Sequence, residues 1–229
     1  MLKNPTLLHK KKDIGILGCG NLIGHRGSRL EGLPENSIAA FKDASKVAHI
    51  LELDVWLTKD GEVIVHHDDT LHRMTGGLVS DNVTDLHFHQ LPTLVPPEQQ
   101  QHRVHEYHSD DCHCIPTLER LLQSIPEDTH LIIEFKQDSD ELIRKVHGLL
   151  VKFGRLEHRQ DYWFSLKEAL NKKLGAFDPS VPRITSVLGS VKILALHMLG
   201  VLPFVPIEED AYGTDISHVS SSSVFGYLR

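Results

Sequence analysis

The sequence predicts an α/β fold in which βαβ units build a parallel sheet, and three observations carry that prediction. Short apolar runs alternate with segments whose apolar residues recur at helical intervals, which is the rhythm of strand and crossover helix. The stretch Pro34-Glu35-Asn36-Ser37, a helix-start signal, falls between two such apolar runs. The composition, 40% hydrophobic and 24% charged, is that of an ordinary folded chain rather than a disordered one.

Taken in order, residues 21–25 read as the first strand, 37–49 as a helix opened by the cap signal, and 50–57 as the second strand. The turn Lys59-Asp60-Gly61 leads into an extended piece over 63–67. Residues 68–115 are polar and rich in histidine, with Pro96-Pro97 and a glutamine run, so an irregular excursion is expected there. A helix resumes at 118–124 and a strand follows at 131–136. The next segment, 141–153, sets Leu142, Ile143, Val146, Leu149, Leu150 and Phe153 at helical spacing, the pattern of a face packed on the core. A strand at 162–165, a helix at 166–174 and a short strand near 183–187 complete the rhythm, with no internal repeat. Beyond Pro206 the chain turns acidic and then serine-rich, with no further βα unit. This divides it into an N-terminal segment at 1–19, one domain at 20–207 and a polar tail at 208–229.

Charge and cysteine content narrow the function classes. The formal charge of -7, with no basic cluster beyond Lys10, Lys11 and Lys12, excludes a broad nucleic-acid surface, which needs clustered cations to displace counterions. Cys19, Cys112 and Cys114 form no disulfide framework and indicate a reducing compartment. The opening MLKNPTLLHKKK lacks the apolar core of a signal peptide. One long apolar run, ITSVLGSVKILALHMLGVLPFVPI at 184–207, approaches the length of a bilayer span. Lys192 lies inside it, and a lysine near the centre of a span costs about 2.5–3.5 kcal/mol. Pro203 and Pro206 should end its helix, leaving a segment of roughly 28 Å at the usual rise. A spanning, an interfacial and a buried helix all remain open at this point, and association with a membrane surface is the expectation.

Side chains alternate along a strand, so in LELDV the carboxylates Glu52 and Asp54 share one face while Leu51, Leu53 and Val55 take the other. In LIIEFK the same parity sets Glu134 and Lys136 opposite Leu131, Ile133 and Phe135. Buried acids placed side by side repel unless a cation lies between them, and hard oxygen ligands suit Mg²⁺ or Ca²⁺. An exposed acidic edge strand is the plainer alternative. His25 with Arg26, and His67 with Asp68, close two strands, where an imidazole can move protons and a guanidinium can grip phosphate oxygens. The segment HRVHEYHSDDCHC, at 102–114, has donors for a soft metal such as zinc. Its order and intervals match no closed zinc site, so a solvated insertion is expected.

From GHRGSRLEGLPENSIAAF through LELDVWLTKDGEVIVHHDDTLHRMTG the chain resembles the glycerophosphodiester phosphodiesterases, and IEFK resembles that family's E-x-K strand. Several spaced motifs occur in the family's order: HRG, PEN, E-x-D, H-D and L-x-R-x-T-G. PTLLHKKK and GVLPFVPI resemble segments of its membrane-associated, lysophospholipase D branch. The resemblance implies a (β/α)8 TIM-barrel type fold, here incomplete, since the last βα units of the family are not recognisable. It also implies a phosphoric diester hydrolase of lipid metabolism acting on glycerophosphodiesters or lysophospholipids.

Residue by residue, it implies metal ligation by Glu52, Asp54 and Glu134, acid and base roles for His25 and His67, and phosphate contacts from Arg26 with Lys136 nearby. Glu35 and Asn36 support that site as parts of the PEN motif. One divalent cation, Mg²⁺ or Ca²⁺, and a membrane-associated, cytoplasm-facing location such as the endoplasmic reticulum follow from the same likeness. Ser28 stands where relatives often carry glycine after HRG, a small departure. The alternative is a catalytically inactive, truncated relative that binds a cation or a lipid head group.

Overall fold

The computed structural model describes residues 21–28, 33–95, 107–157 and 161–212. The chain divides into two compact units, whose described residues end at Asp161 in the first and begin at Tyr162 in the second.

In the first unit, β1 (Ile23–His25), β2 (Ile50–Leu57) and β4 (His130–Phe135) run parallel, and β3 (Val63–Val65) pairs antiparallel with β2. The α/β class is therefore as the sequence predicts, and β2 matches its expected bounds. Helix α1 (Ile38–Ala44) starts where the cap signal places it, with the Ser37 hydroxyl accepting from the Ala40 N–H. It stops short of residue 49 because the chain tightens into turn bonds, from Lys46 N–H to Asp43 O and from Val47 N–H to Ala44 O. The turn leaving β1 is compact. Gly27 takes a φ of +80°, and a Cβ there would lie 2.6 Å from the Ala40 backbone carbon, so only glycine lets strand and helix approach this closely.

The segment between β3 and β4 is less irregular than expected. Turns of 3₁₀ helix at Arg73–Thr75, Val83–Asp85 and Phe88–Gln90 fold it onto an apolar cluster of Leu71, Met74, Val83, Leu94 and Ile115 with Ile64 of β3. Two short helices, α2 (Ser109–His113) and α3 (Leu118–Leu122), follow. Residues 102–106 of the histidine- and cysteine-bearing stretch lie outside the described residues. Within the described part Cys112 is buried against Leu33, Ala39 and Ala40 as a packing residue. Helix α4 (Asp140–Lys152) is capped by Ser139 and buries Leu142, Ile143, Val146 and Leu150, as its spacing predicts.

The second unit holds most of β5 (Asp161–Phe164), then α5 (Glu168–Phe177) and α6 (Val187–Met198). The strand expected at 183–187 does not form. Arg183 and Ile184 make only isolated parallel bridges, to Trp163 and Ala211, and Ser186 already caps α6 through the Gly189 N–H. At 12 residues, or about 18 Å, α6 is too short for the spanning alternative. Among the described residues no helix is long and apolar enough to cross a membrane. Nor is α6 a buried helix: Gly189 and Ile193 are covered, while Val187, Leu188, Val191, Leu194 and Met198 face solvent. The 1–19 segment and the tail beyond residue 212 lie outside the described residues.

Candidate active site

Strand register assembles the site. In the parallel pairing of β1 with β2, His25 stands opposite Glu52, and in that of β2 with β4, Asp54 stands opposite Glu134. One carboxylate oxygen from each of Glu52, Asp54 and Glu134 lies within 4.8 Å of the others, and all three residues are buried. The alternative of an exposed acidic edge is thereby excluded. Such a trio is costly in a dry interior. Burial, then Asp54 and Glu134, push the Glu52 carboxyl well above its ordinary range. Burial pushes Glu134 up to about 7 with Asp54 adding to the rise, even though Lys136 opposes it.

Lys136 reaches into the trio, its Nζ 3.0 Å from Asp54 Oδ1 and 2.7 Å from Glu134 Oε2. Burial works against its charge, but Asp54 and Glu134 together hold its pKa above the usual lysine value. Arg26 takes a left-handed backbone, φ 57°, which turns its N–H onto Glu52 at 3.2 Å to Oε2 and 3.0 Å to the backbone oxygen. Its Nη1 donates to Glu35 Oε1 at 3.0 Å, while its Nε, buried without a hydrogen-bond partner, lies 3.6 Å from Asp54 Oδ2. Asn36, also left-handed at φ 59°, donates from Nδ2 to Asp54 Oδ2 at 2.9 Å.

The donor set fits a divalent cation. Three buried carboxylates face one point against a single ammonium and an arginine held to one side. Asn36 Oδ1 is buried without a hydrogen-bond partner among the described residues, where an unfilled acceptor is expensive, and Asp54 Oδ1 has only the Lys136 ammonium beside it. All-oxygen ligands of this hardness match Mg²⁺ or Ca²⁺ rather than a thiophilic metal.

His25 places its Nε2 3.7 Å from Glu52 Oε2 and leaves about half of its side chain exposed. His67, just past β3, bonds through Nδ1 to Asp68 Oδ1 at 2.6 Å. The preceding His66 is buried, its Nε2 3.3 Å from Thr70 O, and burial lowers its pKa. The sequence assigned no role to Arg73, yet it joins the histidine loop to the rest. Its Nε donates to Asp68 Oδ2 at 2.7 Å and its Nη2 to Glu35 Oε1 at 2.6 Å. A continuous chain therefore runs His67, Asp68, Arg73, Glu35, Arg26. Burial would raise both acids, but arginine hydrogen bonds, with His67 adding to them at Asp68, hold Glu35 and Asp68 down at about 2. The arginine in L-x-R-x-T-G was the one signal of this link in the sequence.

The chain has relatives. The family model for the glycerophosphoryl diester phosphodiesterase family matches residues 25–197. Lysophospholipase D GDPD1 of Homo sapiens is 34% identical over 93% of the chain and 65% of its own length, and that of Mus musculus is 36% identical over the same shares. The chain thus spans about 65% of the length of these relatives. A crystal structure of glycerophosphodiester phosphodiesterase from Agrobacterium tumefaciens superposes with a TM-score of 0.58 at 26% identity, covering 72% of this chain and 66% of that one. The fold is of the α/β barrel type of these enzymes, and its sheet is open among the described residues. On this evidence the chain belongs to the glycerophosphoryl diester phosphodiesterase family.

Proposed function

We propose that this chain hydrolyses a phosphodiester bond in glycerophosphodiesters or lysophospholipids, with one bound Mg²⁺ or Ca²⁺, and releases the head-group alcohol. The observation that carries this reading is the buried trio of Glu52, Asp54 and Glu134 with Arg26 and His25 set against it. The three acids would hold the cation, which would draw charge from the phosphoryl oxygens. Arg26, held beside the acids by Glu35 and Asp54, would supply its guanidinium to a phosphate oxygen. Lys136 balances the acids and lies within reach of the same group. His25 and His67 share the proton transfers: one takes the proton of the attacking hydroxyl, and the other gives a proton to the departing alkoxide, which leaves as the alcohol. Asp68 fixes the His67 ring through Nδ1, leaving Nε2 for that transfer. Glu35 and Asn36 position Arg26 and Asp54.

The purified chain should release choline from glycerophosphocholine or lysophosphatidylcholine. EDTA should stop the release and an added cation restore it. Cation binding without turnover on any glycerophosphodiester or lysophospholipid would instead favour the non-catalytic relative.

The exposed apolar side of α6, with Leu188, Val191, Leu194 and Met198 in solvent and Lys192 able to reach head groups, supports docking on a membrane surface. The three scattered cysteines favour its cytoplasmic side. Flotation with phosphatidylcholine–phosphatidylserine vesicles tests this. Leu188→Ser with Met198→Ser should stay at the bottom of the gradient while the wild type floats.

A further inference from the structure

A second group of ligand atoms converges among the described residues, away from the acid trio. Asp60 lies in the turn after β2, and His87 and His89 flank Phe88 at the 3₁₀ turn Phe88–Gln90. One ligand atom from each lies within 4.8 Å of the other two. The imidazole centroids are 5.6 Å apart.

The two oxygens of Asp60 have different environments. Oδ1 accepts from the Thr58 hydroxyl at 2.6 Å and from the Phe88 N–H at 3.0 Å, whereas Oδ2 faces His87 Nδ1 at 3.7 Å. The two bonds to Oδ1 fix the orientation of the carboxylate, with Oδ2 turned toward His87. Ligating carboxylates are commonly steered by just such hydrogen bonds to the oxygen that the metal does not take. The two loops are also tied by backbone, Lys59 N–H donating to Leu86 O at 2.8 Å. The His87 N–H donates to Gln90 Oε1 at 2.9 Å, which fixes the start of the turn.

We infer that Asp60, His87 and His89 form a second metal site, one that takes a zinc-class divalent transition ion with water completing its coordination. Two imidazoles and one carboxylate select Zn²⁺, Ni²⁺ or Cu²⁺ over Mg²⁺ or Ca²⁺. Zinc bonds of about 2.0–2.1 Å set donors roughly 3.0–3.5 Å apart, so rotations of solvent-facing side chains suffice to close the site. Bound there, the ion would clip the segment after β3 to the β2–β3 turn. Its binding free energy would then add to the apolar cluster and the backbone hydrogen bonds that hold this part of the fold. The inference does not depend on the chain being a phosphodiesterase.

The test is a ZnCl₂ titration of the full chain against a chromophoric chelator, in excess Mg²⁺ so that oxygen sites are occupied. The wild type and Glu134→Gln should each bind one Zn²⁺ equivalent that His89→Ala and the His87→Ala/His89→Ala pair lose or bind at least about tenfold more weakly, circular dichroism showing all variants folded. Zn²⁺ should raise the melting temperature of the wild type and leave that of the double variant unchanged. Equal stoichiometry and affinity in wild type and double variant, or no Zn²⁺ bound by the wild type, would overturn the inference.

Discussion

Arg73 donates to Glu35 at 2.6 Å across 38 positions of sequence, and this one contact joins the loop that carries His67 to the loop that positions Arg26. Arg73→Met should therefore lower turnover chiefly by misplacing His67 and Arg26. A hydrogen bond to a charged group contributes about 1.5–3 kcal/mol, reduced here by the partial exposure of Arg73, so a stability loss of about 1 kcal/mol should accompany the activity loss. Denaturant melts and steady-state kinetics of the same preparation measure both. Unchanged kcat in Arg73→Met would show that the link is only structural.

The acid trio gives the metal-free chain an unusual dependence on pH. Glu134 titrates at about 7 in the fold against 4.5 when unfolded, so between these values the folded state binds more protons. Stability contributed by the protonated form is present below about 4.5 and is lost as pH rises through 7. Glu35 and Asp68, held at about 2, act in the opposite sense: their contribution is present above their unfolded pKa values and is lost as pH falls through 2. Urea titrations in EDTA should show stability falling from pH 5 to pH 8, and Glu134→Gln should flatten that fall. Added Mg²⁺ or Ca²⁺ should restore stability at pH 8 in the wild type and not in the variant.

Loss of either histidine proposed to carry protons should be severe. His25→Ala and His67→Ala should each reduce turnover by about 10²–10⁴-fold, the usual range for a general acid or base. Alanine at His102, His105 or His108 should leave turnover within a few-fold of wild type. Near-normal turnover in His25→Ala or His67→Ala would remove that residue from the chemistry.

What the sequence made legible follows from periodicity. Parity along a strand placed Glu52 with Asp54 and Glu134 with Lys136, any in-phase pairing would then put both sets on one face, and the observed register of β2 on β4 sets Asp54 against Glu134. The link through Arg73 and the cluster of Asp60 with His87 and His89 depend instead on how the segment after β3 folds back. That segment is organised by 3₁₀ turns and by Leu71, Met74, Val83 and Leu94, spaced too irregularly to show a period of 2 or 3.6. At 183–187 the apolar, β-branched residues that suggest a strand are used by isolated bridges and by the Ser186 cap. There local capping prevailed over strand propensity.

A buried ion pair lies at the opposite end of the strands from the acid trio. Arg155, just beyond α4, forks onto Asp161 with Nε 2.8 Å from Oδ2 and Nη2 2.7 Å from Oδ1, and Asp161 Oδ1 also accepts from the Leu131 N–H near the start of β4 at 3.2 Å. Both side chains are almost wholly buried, and burial raises the Asp161 pKa even against the arginine. A buried ion pair contributes little relative to an apolar pair of the same shape, but removing one partner strands the other without water. Arg155→Met should therefore cost about 3–5 kcal/mol. At the usual 2–4 °C per kcal/mol for a chain of this size, that is a fall in melting temperature of about 10 °C. Arg155→Met/Asp161→Leu should recover much of the loss. Because Leu131 and Glu134 sit at different ends of β4, kcat of the folded single variant, measured well below its melting temperature, should stay near that of the wild type. A double variant no more stable than Arg155→Met would show that the pair acts through its bond to the β4 backbone rather than through charge compensation.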